Sequence, residues 1–312
     1  MDEMHDVIEI DDYDLKEALN LVASFGTNRF GYIVTPNVDH LIRHHYSAQF
    51  RSLYRQASYV LLDSRFLANT VGLFKRQVLR VCLGSDLTTS ILSHVIKPSD
   101  VAVLVGGSAE QAEQLRARFG LKALRHVDPP MNFINDPVAV EECLRQIEAA
   151  SPFRFCFLAI GSPQQEIIAQ KLKERGTAQG LALCVGAAVN YITGSERRAP
   201  MWMQQLGFEW LFRLLQNPRR LAKRYLVRGP IIFLLLWRIE LRLRPPARAS
   251  LLAAHPLIGR TGEGGQSAAP SVPRLAQPAA PSVPRLAQPA APSVPRLAQP
   301  AAPSAPRLAR RA

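Results

Sequence analysis

The chain has 312 residues, 47% of them hydrophobic, and a formal net charge of +13. The charge is uneven: residues 197–248 hold eleven Arg and one Lys against two Glu, residues 249–312 hold seven Arg against Glu263, and the first 196 residues sit close to −3. A body that is basic throughout is therefore excluded, and any contact with an anionic surface, membrane or nucleic acid, belongs to the C-terminal part.

The acidic opening MDEMHDVIEIDDYD does not fit a signal peptide. Within it Asp12-Tyr13-Asp14 spells DxD, the metal–diphosphate motif of one class of sugar transferases, but it does not follow a strand and reads as incidental. Short apolar runs rich in β-branched and aromatic residues predict strands at 32–35, 59–62, 101–105, 155–160 and 181–185. Segments of helical period lie between them, at 109–119, 137–150 and 165–175. Strands alternating with helices predict an α/β fold, a mostly parallel Rossmann-like sheet with helices on both faces. The turns after its strands should gather at one edge, where open α/β sheets bind ligands.

Each of those turns carries polar or glycine residues. VTPNVDHLIRHH places Thr35, Asn37 and Asp39 after the first strand. His40 and His44, four apart, match a zinc pair, but with no third ligand and no HExxH they read as surface histidines. Asp63 follows the apolar run Tyr59-Val60-Leu61-Leu62 directly. Either it caps a helix beginning at Ser64, or it is the working end of an enzyme. LGSDLTTSIL places Gly84, Ser85 and Asp86 before a helix, with Asp86 a candidate cap. In VLVGGSAEQAEQL, Gly106 and Gly107 either let a phosphate approach a helix N-terminus or make a tight turn capped by Ser108. Neither GxGxxG nor GxxxxGKS is present. AIGSPQQEIIAQKL has the same strand–turn–helix form, with Gly161 in the turn. There Gln164, Gln165 and Glu166 can grip sugar hydroxyls, or Ser162 and Gln165 can form a capping box. The four cysteines, Cys82, Cys143, Cys156 and Cys184, form no CxxC and read as reduced core thiols.

Residues 197–248 form a basic block with three interspersed Trp. Arg220, Arg224 and Arg228 recur every four residues, which predicts one cationic helical face suited to an anionic membrane. A solvated face closing the domain is the plainer reading, and nucleic acid has no supporting motif. The longest uncharged apolar run here, 230–237, is too short to span a bilayer. From about residue 249 the chain is a tail with no aromatic residue, in which an eleven-residue unit repeats, opened by Pro270, Pro281, Pro292 and Pro303. Such a tail is expected to stay disordered. Three segments follow: an α/β body at 1–196, a basic helical appendage at 197–248 and the tail at 249–312.

Taken in order, TPNVDH (35–40), the Asp63 segment, GSD (84–86), VGGS (105–108), PPMNFI (129–134), GSPQQE (161–166), VGAAVNYITG (185–194) and RAPMWMQQLGFEWLFRLLQNPRRLAKRYL (198–226) resemble the WecG/TagA/CpsF glycosyltransferases. The resemblance implies a cytoplasmic enzyme held peripherally at the inner face of the cytoplasmic membrane. It implies transfer of a sugar, with inversion, from a UDP-sugar to a polyprenyl-diphosphate-linked saccharide. Asp63 then becomes the general base, with Thr35 and Gln165 as pocket residues. Arg213, Arg220 and Arg224 fall on an appendage that closes the site at the membrane. Gly186 and Asn190, in the VGAAVNYITG stretch, join the substrate-binding candidates. Ser64, Ala187 and Asn190 depart from the family's usual Gly, Gly and Asp, and Asn190 keeps a hydrogen-bonding group without the charge. No metal and no other cofactor is expected, so the leaving diphosphate draws its positive charge from helix N-termini and the appendage arginines. Oligomerisation stays open. The rival readings are another nucleotide-sugar enzyme, such as an epimerase or dehydrogenase, and a non-catalytic adaptor for membrane or nucleic acid.

Overall fold

The computed structural model describes residues 6–246; the tail from about residue 249, with its repeat, lies outside the described residues. The order is β1 (Asp6–Asp11), α1 (Leu15–Ser24), β2 (Phe30–Val34), α2 (Val38–Tyr46), α3 (Ala48–Arg55), β3 (Tyr59–Val60), α4 (Arg65–Lys75), α5 (Gly84–His94), β4 (Ala102–Val105), α6 (Ala109–Phe119), β5 (Leu124–Val127), α7 (Pro137–Glu148), β6 (Phe155–Leu158), α8 (Gln164–Arg175) and β7 (Gly180–Cys184). The C-terminal part continues with α9 (Ala188–Ile192), α10 (Met201–Gln205), α11 (Glu209–Gln216), α12 (Pro218–Ala222), a π-helical turn (Lys223–Arg228), α13 (Ile231–Leu235) and β8 (Ile239–Arg244).

Six strands form one all-parallel sheet in the order β3-β2-β7-β6-β4-β5. β4, β6 and β7 are buried at every position, as strands covered on both faces are. Alternate residues feed two separate cores. Ala102, Leu104, Phe155 and Phe157 pack with α1, α5, α6 and α9, while Val103, Val105, Cys156 and Leu158 pack with α3, α7 and α8. The predicted α/β class is therefore the fold observed, and all four cysteines are buried and free. Because every strand runs the same way, all six carboxyl ends meet at one edge. Of the run 59–62 only Tyr59 and Val60 stay in the ladder. The chain then keeps alongside the end of β2, the Leu61 N–H donating to the Val34 carbonyl at 3.0 Å and the Asp63 N–H to the Pro36 carbonyl at 2.9 Å, and Leu62 packs into a third core.

That third core ties the C-terminal segment to the body. Ile8 and Ile10 of β1, Leu41 of α2, and Leu67 and Val71 of α4 pack with Ile232 and Leu235 of α13 and Ile239 and Leu241 of β8. β8 pairs in parallel with β1, from Asp6 opposite Ile239 to Asp11 opposite Arg244. The appendage is thus helical only as far as α13 and ends as a strand. Gly207 lets it lie flat on α4: its φ is +80°, and a Cβ there would come within 3.0 Å of the Phe66 backbone nitrogen.

The predicted single face of Arg220, Arg224 and Arg228 does not form. Pro230 offers no N–H to the preceding turn, and its ring crowds a regular helix. The backbone widens instead, and the Gly229 N–H donates to the Arg224 carbonyl at 2.9 Å. Arg220, in α12 before the widened turn, meets Glu196, Arg224 meets Asn37 and Asp39, and Arg228 is exposed.

Candidate active site

A cavity of about 710 Å³ opens at the carboxyl edge of the sheet, with one wall from strand-end turns and the other from residues 207–233. Its size suits a ligand as large as a nucleotide sugar. On the sheet side lie Thr35, Asn37, Asp63, Ser85, Gly161 and Gln165, with Asp39 and Gly186 beside them. Opposite stand Arg213, Arg220 and Arg224, together with Trp210 and Tyr225, and Tyr191 of α9 also lines the cavity.

Asp63 is not the cap of α4. Ser64 takes that task, its Oγ accepting the Leu67 N–H at 3.1 Å. The Asp63 carboxylate turns the other way and its Oδ1 accepts the N–H of Gly84, the first residue of α5, at 2.9 Å. Burial raises its pKa to about 7; the Gly84 N–H and Arg213 oppose the rise, and Glu209 and Asp86 add to it. A carboxyl poised near neutral pH in a cavity is matched to proton transfer.

The other strand ends are fixed around it. The Thr35 hydroxyl donates to the Cys184 carbonyl at 3.1 Å, which leaves its oxygen lone pairs for a ligand donor. Gln165 does not form the capping box with Ser162, and α8 starts without a side-chain cap. Its Oε1 instead accepts the N–H of Gly186 at 2.9 Å, a residue held at φ +52°. Asn37 caps α2, accepting the Asp39 N–H at 3.1 Å. Asp39 pairs with Arg43 at 2.8 Å and with Arg224 at 3.6 Å, so it orients two cations at the cavity wall.

Arg213 differs from its neighbours. Arg220 meets Glu196 at 3.4 Å and Arg224 meets Asp39, but Arg213 has no carboxylate within ion-pair distance among the described residues. Its guanidinium lies 5.8 Å from the Tyr191 ring, and its Nε has no hydrogen-bond partner. A largely buried, unpaired cation lining a cavity is built to meet an anion.

Several predicted site residues do not line the cavity. Gly84 serves through its N–H to Asp63. Asp86 is ion-paired with Arg198. Gly106 and Gly107 form the tight turn that precedes the Ser108–Gln111 capping box. Asn190 accepts from Gln111 Nε2 at 3.1 Å. Glu166 is buried behind Gln165, and Gln164 also lies off the lining. Asp12 and Asp14 are spent on the fold, Asp12 on Arg80 and Asp14 on capping α1.

His40 and His44 are not surface residues, being 6% and 5% exposed. The inward face of α2 presses them against Phe50 and Tyr54, and burial pushes the His40 pKa down to about 3. The sequence reading also missed Tyr191, Trp210, Tyr225 and Arg43. The density of aromatics among the arginines of 202–225 was the available signal for Trp210 and Tyr225; for Tyr191 and Arg43 there was none.

A sequence model of the glycosyl transferase WecG/TagA/CpsF family matches residues 6–246, from β1 through β8. The match takes in both walls of the cavity, and the chain belongs to the WecG/TagA/CpsF family of glycosyltransferases, enzymes of cell-surface polysaccharide synthesis.

Proposed function

We propose that the protein is an inverting glycosyltransferase that moves a sugar, of the hexose or N-acetylhexosamine type, from a UDP-sugar to a polyprenyl-diphosphate-linked saccharide. The observation that carries this reading is one cavity holding both Asp63, with its pKa near neutrality, and the unpaired Arg213. Inversion requires an acceptor hydroxyl to attack the anomeric carbon opposite the leaving group. Asp63 takes the hydroxyl proton as the new C–O bond forms. The old C–O bond breaks, its electron pair leaves on the UDP β-phosphate, and Arg213 stabilises that charge with Arg220 and Arg224 beside it. Thr35, Gln165 and Gly186 hold the donor. No metal is invoked in these steps, because cations of the chain itself face the leaving group. A non-catalytic adaptor would need none of this chemistry in a cavity.

The acceptor's lipid places the reaction at the inner face of the cytoplasmic membrane. No helix among the described residues is long and apolar enough to cross a membrane. The exposed Leu226, Val227, Leu234 and Trp237, next to the exposed Arg219, Lys223 and Arg228, suit peripheral attachment to an anionic bilayer. The test is UDP release from a panel of UDP-sugars with a short-chain polyprenyl-diphosphate saccharide. Asp63→Asn should keep UDP binding and lose about two to four orders of magnitude in turnover. No UDP release from any donor, or normal turnover by Asp63→Asn, would refute the reading.

A further inference from the structure

Behind the cavity wall lies a buried acid to which the reaction above gives no task. Glu166 is 1% exposed and does not line the cavity. Its Oε1 accepts a hydrogen bond from Gln165 Nε2 at 2.9 Å, and its Oε2 has no partner. His40 approaches the same Oε1, with its Nε2 at 3.9 Å. The tautomer of His40 follows from its other nitrogen. Nδ1 accepts the Asn37 backbone N–H at 3.1 Å, so the neutral ring carries its proton on Nε2, facing Glu166.

The consequence falls on Gln165. Its amide oxygen is engaged by the Gly186 N–H and its amide nitrogen by Glu166. Each end of the carboxamide therefore has only one chemically sensible orientation. The nitrogen bears two hydrogens and Glu166 uses one, leaving a single N–H uncommitted on a side chain that lines the cavity. Without an acceptor at Glu166 the amide nitrogen loses its anchor, and nothing on that side holds the group against rotation. A buried carboxyl is costly to keep, and a fixed donor is a task that accounts for it.

We propose that Glu166 is a positioning residue that locks the Gln165 carboxamide so that one N–H is presented to an oxygen of the bound UDP-sugar. The proposal rests on the cavity being the UDP-sugar site. A double-mutant cycle tests it on the full chain, with UDP release giving kcat and KM for the best UDP-sugar of the panel and calorimetry giving the Kd for UDP. Gln165→Ala and Glu166→Leu should each lower kcat/KM about tenfold, the usual reach of one hydrogen bond. The double variant should lose no more than either alone. Glu166→Gln should recover most of the loss, since its amide oxygen accepts the same Gln165 N–H and its NH2 replaces the partnerless oxygen. If Glu166→Leu does not fold, Glu166→Asp takes its place in the cycle, because one methylene less withdraws the acceptor. Losses that multiply in the double variant, or wild-type kinetics in the Glu166 single variant, overturn the positioning role while leaving glycosyl transfer intact. A wild-type chain that releases no UDP from any donor overturns both.

Discussion

Asp63 shows how one side chain can be placed correctly by sequence and still be given two roles. An acid directly after an apolar run marks a strand end, and only the structure shows that Ser64 does the capping and leaves the carboxyl free for the cavity. Its raised pKa has two consequences of opposite value. As a base it must be ionised, so turnover should rise with pH along a limb of apparent pKa near 7, and Asp63→Asn should lack that limb. For stability the sign is reversed. The folded pKa lies above the ordinary value of 3.8, so the folded chain holds the proton more tightly, and stability falls as pH climbs from about 4 through 7. Asp63→Asn escapes that loss. Thermal denaturation should show the variant gaining on the wild type between pH 5 and pH 9, and a pH-independent difference would contradict the buried, protonatable carboxyl. Asp12 and Asp14 follow β1 directly, contrary to the expectation that no strand precedes them, because β1 is a strand only through its pairing with the distant β8; both acids are nonetheless committed to the fold, Asp12 to Arg80 and Asp14 to the cap of α1. Activity should accordingly survive EDTA; complete loss restored by Mg²⁺ or Mn²⁺ would show a metal role. The histidines show where residue-level reading ends. The i, i+4 spacing of His40 and His44 fixes that they share a face of α2, but which way that face points depends on α3, which the spacing does not contain.

At the scale of elements, the central strands were legible because full burial leaves a continuous apolar run, as in FCFL and AVLV. β1 and β8 were not. VIEID and IELRLR alternate as one-sided strands do, but they lie at opposite ends of the described chain, and neither is a strand without the other. The basic block was legible as cationic and not as divided, because the four-residue spacing assumes a regular helix and the turn before Pro230 is wider. The division yields a prediction. Arg213 lines the cavity without a carboxylate partner, whereas Arg228 is exposed and off the lining. Arg213→Ala should lower turnover on a soluble acceptor by one to two orders of magnitude, or about 1.4–2.7 kcal/mol of transition-state stabilisation. Arg228→Ala should leave that turnover alone and weaken binding to vesicles containing anionic lipid by about fivefold, roughly the 1 kcal/mol of one cation at the surface. High salt should mimic the second effect and not the first. Equal effects of the two variants in both assays would show that the block is not divided in this way.

For the molecule as a whole, the pairing of β8 with β1 joins the two ends of the described chain. Asp11 is the junction. Its Oδ2 accepts the Val60 N–H at 2.7 Å and meets Arg244 at 2.7 Å, so the last strand is tied to β3, three residues before Asp63. The family match and the described structure both stop at residue 246. The repeat beyond has the composition of a segment that cannot bury a core. Two truncations separate these parts. A chain ending at residue 248 keeps β8 and should keep the thermal midpoint and UDP release of the full protein. A chain ending at residue 237 loses β8. It then exposes Ile8 and Ile10 and leaves the buried Asp11 without the Arg244 cation. Exposing a buried Ile side chain costs about 1.5–3 kcal/mol, so Ile8 and Ile10 together lose at least about 3 kcal/mol, and for a body of this size each kcal/mol lowers the midpoint by about 2–4 °C. The shorter chain should therefore melt at least about 6 °C lower. It should also turn over more slowly, because α13, now without β8 to pack on, carries the cavity wall opposite Asp63. Identical melting of the two truncations would show that β8 holds nothing in place, and a loss of transfer already at residue 248 would give the repeat a part in the reaction.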